Sequence, residues 1–162
     1  MPSRGGVLLV LLLALAGPAA ASDWGLIVPG ESTEETVRAR YGQPTRAESQ
    51  KVGGYDAARW VYEGAQAPAG IARMTVDFGL LIAAGYRKDV VRSLQLDPKP
   101  GAFNRRLVVD GWGRPTKIGV EGRFEIFLYE DGLLVYFDKD SGDATTMMFS
   151  PPQPASRAPP QR

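Results

Sequence analysis

The chain contains neither histidine nor cysteine. Without histidine it lacks the commonest general base and metal ligand. Without cysteine it forms no disulfide and no thiolate zinc site, and it lacks the acylated residue that tethers bacterial lipoproteins. Ser–His and Cys–His nucleophile pairs are therefore excluded, and zinc would have to be held by carboxylates alone. No G-x-S-x-G elbow and no glycine-rich phosphate loop occurs. A basic block is missing too: nineteen Lys and Arg stand against eighteen Asp and Glu. Neither nucleic acid nor an anionic lipid surface is an expected partner of such a chain.

Carboxylates are what remains for chemistry. Glu34 and Glu35 fall in a first helical turn, where they complement the helix dipole. Glu130-Asp131 falls at a hairpin. Asp138-Lys-Asp140-Ser-Gly-Asp143 resembles a calcium loop, but its glycine comes one place early and Phe149 stands where a bidentate carboxylate belongs, so a tight turn is expected. An all-carboxylate hydrolase pair needs no fixed spacing and leaves no signature. The expectation is no catalytic residue, no metal and no cofactor.

The two ends differ from the middle. Arg4 precedes a ten-residue apolar run, Val7–Ala16, then Gly17-Pro18 and Ala19-Ala20-Ala21. This is the charged, apolar and small-residue order of a signal peptide, with cleavage expected after Ala21. The run is too short for a membrane span, which takes roughly 20 residues. Without Arg4, the chain from Ser22 onward carries eighteen charges of each sign. From Pro151 the sequence PPQPASRAPPQR holds five prolines in twelve residues and nothing apolar larger than alanine, the composition of a disordered tail.

Between these ends lies a repeat. PGESTEETVRARYGQPTR from Pro29 lies without gaps on PGAFNRRLVVDGWGRPTK from Pro100, shifted by 71 residues with six identities in eighteen. WVYEG at Trp60 then matches FLYEDG at Phe127, MTVDFG at Met74 matches LLVYFD at Leu133, and DVVRSLQLDP at Asp89 matches DATTMMFSPP at Asp143. In the first copy, Ser32 with Glu35 fits a capping box, and Val37 and Tyr41 share a helical face that stops at Gly42 and Pro44. In the second copy Asn104 caps a weaker helix presenting Leu107, Val108 and Trp112, with Arg105 and Arg106 at the positive end of the dipole. Each helix precedes a meander. In the second copy turns at Gly122, Asp131-Gly132 and Ser141-Gly142 separate strands at Lys117–Val120, Phe124–Tyr129, Leu133–Phe137 and Ala144–Phe149.

These readings predict an α+β fold: two tandem helix-plus-β-meander units forming one antiparallel sheet with both short helices on one face. The organisation expected is signal peptide 1–21, first unit 22–98, second unit 99–150 and Pro-rich tail 151–162. Pro29, Gly30, Val37, Gly42, Pro44, Trp60 and Tyr62, repeated as Pro100, Gly101, Val108, Gly113, Pro115 and Tyr129, form a pattern that resembles two groups. One is the SmpA/OmlA (BamE-type) outer-membrane assembly lipoproteins. The other is the secreted β-lactamase inhibitor proteins, which carry the unit twice. The resemblance implies a fold and a place in the cell envelope. The matched positions are turns and core, so it transfers no binding residue.

Strand alternation separates two faces. Trp60, Tyr62, Val76 and Phe78, matched by Phe127, Tyr129, Val135 and Phe137, are the expected core. The opposite face carries Arg59, Val61, Thr75 and Asp77 in the first copy, a set suited to water. In the second copy it carries Ile126, Leu128, Leu134 and Tyr136. Such an apolar face is either covered by another element, such as the Pro-rich tail or the long loop at Glu63, or offered to a protein partner, and the expectation is the partner. The functional expectation is a non-catalytic, exported protein-binding module of the bacterial cell envelope, periplasmic or secreted, with no membrane insertion after cleavage. Alternatives are a secreted enzyme inhibitor, a carboxylate-based envelope hydrolase and a carrier of an apolar ligand.

Overall fold

The computed structural model describes residues 22–152. The expected leader, 1–21, lies outside the described residues, as does the tail beyond Pro152. Helix α1 (Glu34–Tyr41) leads into strands β1 (Arg46–Val52), β2 (Tyr55–Glu63), β3 (Ile71–Ile82) and β4 (Gly85–Pro98). Helix α2 (Arg105–Trp112) leads into β5 (Lys117–Glu121), β6 (Phe124–Tyr129), β7 (Leu133–Asp138) and β8 (Ala144–Phe149). One eight-stranded sheet results, in the order β1-β2-β3-β4-β8-β7-β6-β5. Every pairing in it is antiparallel. This is the α+β class read from the sequence, with two short helices, and the two meanders meet along their last strands.

The core lies on one face of this sheet. Tyr62, Met74, Leu96, Met147, Val135 and Phe127 pair in a cross-strand row. Beside it run Trp60, Val76, Leu94, Phe149, Leu133 and Tyr129. All of these are buried, and Val37 of α1 and Val108 of α2 join the same cluster.

The two helices are held alike. The Asn104 side chain accepts from the Leu107 N–H and the Thr33 side chain from that of Thr36. Each helix ends on a glycine with positive φ, 75° at Gly42 and 80° at Gly113, a conformation that a Cβ disfavours. The Tyr62 hydroxyl donates to the Gly42 carbonyl and the Tyr129 hydroxyl to that of Gly113, both at 3.0 Å. Burial pushes the Tyr62 phenol up to about 12, so it stays protonated as a donor across the physiological range. The Val91 N–H donates to Ser32 and the Ala144 N–H to Phe103, both at 2.8 Å. Register shifts at Asp77/Phe78 against β4 and at Tyr136/Phe137 against β8 leave Arg92 and Thr145 as the extra residues.

Four expectations need correction. Ser32 does not cap α1: its hydroxyl accepts from Val28, and Thr33 with Thr36 forms the capping box. Two adjacent hydroxyl residues satisfy the same sequence pattern, and only the backbone chooses between them. Leu107 is 47% exposed, because the eight-residue α2 buries a single residue, Val108. Trp112 is half-buried, stacked on Trp24 at 6.4 Å and tilted against Phe149. By pairing, Val90 rather than Asp89 stands where Asp143 does: Val90 bridges Thr33 as Asp143 bridges Asn104.

The stretch before α1 also joins the core, with no periodicity in the sequence to announce it. Ile27 is fully buried. Trp24 lies against Phe103 and Trp112, and the Ser22 N–H donates to the Asp131 carbonyl at 3.0 Å.

Candidate functional site

The face opposite the helices differs from one half of the sheet to the other. On β6 and β7, Ile126 pairs with Tyr136 and Leu128 with Leu134, and Met148 of β8 follows Leu134. Strand alternation therefore brings all four expected residues onto one surface. Ile126, Leu134 and Tyr136 are half-buried and Leu128 is 37% exposed. They line a groove of about 460 Å³ with Lys117, Gly119, Val120 and Glu121 of β5. A second hollow of about 580 Å³ adjoins it at Tyr136 and is lined by Phe124, Thr146 and Met148 among others. Phe124 meets Tyr136 edge-on at 6.2 Å.

Three members of this surface were missed by the sequence reading. Phe124 and Met148 lie within the expected strands and follow from the alternation that selects Ile126 and Leu128, taken one step back along β6 and across to β8. Gly119 is the less visible one. It pairs with Ile126, and a Cβ there would meet nothing within 4 Å. The missing side chain opens the floor of the groove beside Ile126.

The same face of the first half is closed. Arg59 grips Asp77 with Nε at 2.8 Å and Nη2 at 3.0 Å, Gln50 donates at 2.9 Å, and Arg92 approaches to 3.7 Å. Glu63 accepts from Arg46 and from Arg73. The expectation that this face suits water is corrected in part: Asp77 is 8% exposed and Val61 only 3%. The arginines present guanidinium groups to carboxylates while their aliphatic stems cover apolar surface. Asp77 is matched in place by Tyr136, and Val61 by Leu128, so one half carries a satisfied ionic network where the other carries unpaired apolar groups.

Carboxylates elsewhere are similarly engaged. Asp138 accepts from the N–H groups of Asp140 and Ser141 and from Arg123, which makes 138–143 a tight turn. The Asp143 carboxylate accepts from the Gly101 N–H. Among the described residues no group of three or more acidic side chains could hold a metal ion.

This ionic wiring predicts acid sensitivity. Burial alone would raise the Asp77 pKa, but bonds from Arg59 and Gln50 and the Arg59 and Arg92 charges outweigh it and hold it below the ordinary value. The Arg123 guanidinium, with the Ser141 and Asp140 N–H groups, lowers Asp138 likewise. A depressed folded-state pKa contributes stability above the unfolded value of about 4, and that stability is lost as pH falls through the folded value. Thermal melts should therefore be flat between about pH 7 and pH 5 and fall below about pH 4. Asp77→Asn should melt lower at neutral pH, by about 1–2 kcal/mol given the partly exposed Arg59, and show a shallower acid decline. An unchanged acid profile in Asp77→Asn would remove Asp77 from this account.

The chain matches no protein-family model and no curated protein. Among solved structures, it is similar to a DUF4309 family protein (YjgB) from Bacillus subtilis subsp. subtilis str. 168. The TM-score is 0.46 at 12% sequence identity, over 77% of this chain and 82% of that one.

Proposed function

We propose that this chain is an exported, non-catalytic protein-binding module of the bacterial cell envelope that offers the open face of its second half to a protein partner. The observation that carries this reading is the contrast across the sheet. Ile126, Leu128, Leu134 and Tyr136 lie around a groove, whereas on the matched face Val61 is buried, Arg59 and Asp77 are tied into an ion pair, and Thr75 is half-buried among them. A tyrosine among aliphatic side chains, rimmed by Lys117 and Glu121, has the make-up of an interface centre with a charged border.

The reading includes a duplication of one helix-plus-meander unit, residues 22–98 and 99–150. It is supported by the paired helix caps, the paired Tyr–Gly bonds and the two equivalent register shifts. Of the two groups that the sequence pattern resembles, the tandem plan leans toward the shape of the β-lactamase inhibitor proteins, without importing their target. Export rests on the leader. A chain cut after Ala21 would keep the bond from the Ser22 nitrogen to Asp131, now donated by the new terminus.

The test is Tyr136→Ala, assayed against the envelope protein that the wild-type chain retains. Truncation of an interface-centre aromatic typically costs about 2 kcal/mol or more, roughly thirtyfold in affinity. The half-buried ring makes a smaller difference to folding, so the melting temperature should change little. Unchanged affinity in a folded Tyr136→Ala would reject this face as the binding site.

A further inference from the structure

The sheet has two open edges, and they are built differently. The β1 edge (Arg46–Val52) carries Arg46, Glu48 and Lys51, the charged pattern with which edge strands resist pairing. The β5 edge reads Lys-Ile-Gly-Val-Glu, with Ile118 at 55% exposure and Val120 at 67%. Lys117 and Glu121 form no ion pair among the described residues.

The backbone of β5 fixes which groups face outward. The two-residue turn Gly122-Arg123 joins Glu121 to Phe124, which pair directly. The alternation of antiparallel ladders then turns the N–H and C=O of Glu121, Gly119 and Lys117 toward β6. Those of Ile118 and Val120 point away from the sheet, with no strand among the described residues to receive them.

We propose that β5 pairs with β5 of a second copy of this chain, antiparallel about a twofold axis at Gly119, so that two eight-stranded sheets become one. The strand is self-complementary in this register. Lys117 of each copy faces Glu121 of the other, and Ile118 faces Val120. The outward N–H and C=O groups of Ile118 and Val120 meet as hydrogen-bonded pairs, while Gly119 faces Gly119 at the closer, non-bonded spacing where side chains would crowd. No other centring of β5 on itself puts opposite charges together at both ends. The dimer would set the two apolar grooves side by side, but it does not depend on the proposed partner, because mass reads one and partner affinity the other.

The experiment is light scattering and sedimentation of the exported chain from low micromolar to millimolar concentration. A dimer is expected. Val120→Pro should be monomeric with an unchanged monomer melting temperature, because the N–H it removes points away from β6 and an edge strand tolerates proline there. Lys117→Glu or Glu121→Lys alone should weaken dimerisation about tenfold or more, and the two together should restore it. A chain that stays monomeric throughout the range overturns the proposal. So does a dimer that survives Val120→Pro or ignores the charge swap.

Discussion

Trp60→Ala and Phe127→Ala are each expected to lower stability by about 3–5 kcal/mol, the usual cost of emptying a buried aromatic site. The two positions are strand-matched, and their surroundings are matched as well. Trp60 is 4% exposed and meets Phe78 edge-on at 4.7 Å, while Phe127 is 5% exposed and meets Phe137 edge-on at 4.7 Å. Each ring pairs across the sheet with a valine, Val76 or Val135. A domain of this size has roughly 5–15 kcal/mol in all, so either mutant should melt some 10–20 °C lower or fail to accumulate. The core is continuous across β4 and β8, where Leu94 pairs with Phe149 and Leu96 with Met147. Both mutants should therefore keep a single unfolding transition by calorimetry. Two transitions in Trp60→Ala, the upper one at the wild-type temperature, would mean that the halves fold independently.

How much of this was legible in the sequence depended on how local the signal was. The stops at Gly42 and Gly113 and the hairpin turns at Gly122, Asp131-Gly132 and Ser141-Gly142 need particular residues at particular dihedrals. The helix ends and the bounds of β6 and β8 were accordingly visible. The aromatic core was visible because alternation assigns a face without knowledge of the partner strand. The choice of Thr33 over Ser32 as cap was not, since either hydroxyl fits the spacing. Neither was the closure of the first-half open face. Asp77 is held by Gln50 and Arg59, and only the strand register brings those three side chains together. The packing of Trp24 and Ile27 depends on contacts with distant residues in the same way. At the candidate site the four apolar residues were legible from alternation alone, whereas the hollow at Gly119 required the β5–β6 register, which sets Gly119 opposite Ile126.

The largest effect on binding is expected from placing a charge in the groove. Leu134 lies between Leu128 and Met148 on the open face, and Thr75, in the matched place of the first half, lies between Val61 and Gln95. An aspartate at either position meets a half-buried strand site of similar exposure, so the two substitutions should lower the melting temperature by similar, small amounts. Their effects on recognition should diverge. At position 134 the carboxylate would be desolvated by any partner seated on Ile126, Leu128 and Tyr136, which costs several kcal/mol when no counter-charge is supplied. At position 75 it would sit among Arg46, Arg59 and Arg73 on a face that the account leaves unbound. The deciding measurement is a titration of the envelope partner against folded Leu134→Asp and Thr75→Asp, with Leu134→Gln as the substitute if the aspartate does not fold. Binding should fall by about a hundredfold or more for Leu134→Asp and stay at the wild-type affinity for Thr75→Asp. Equal affinities for the two, whether both retained or both lost, would contradict the proposed site.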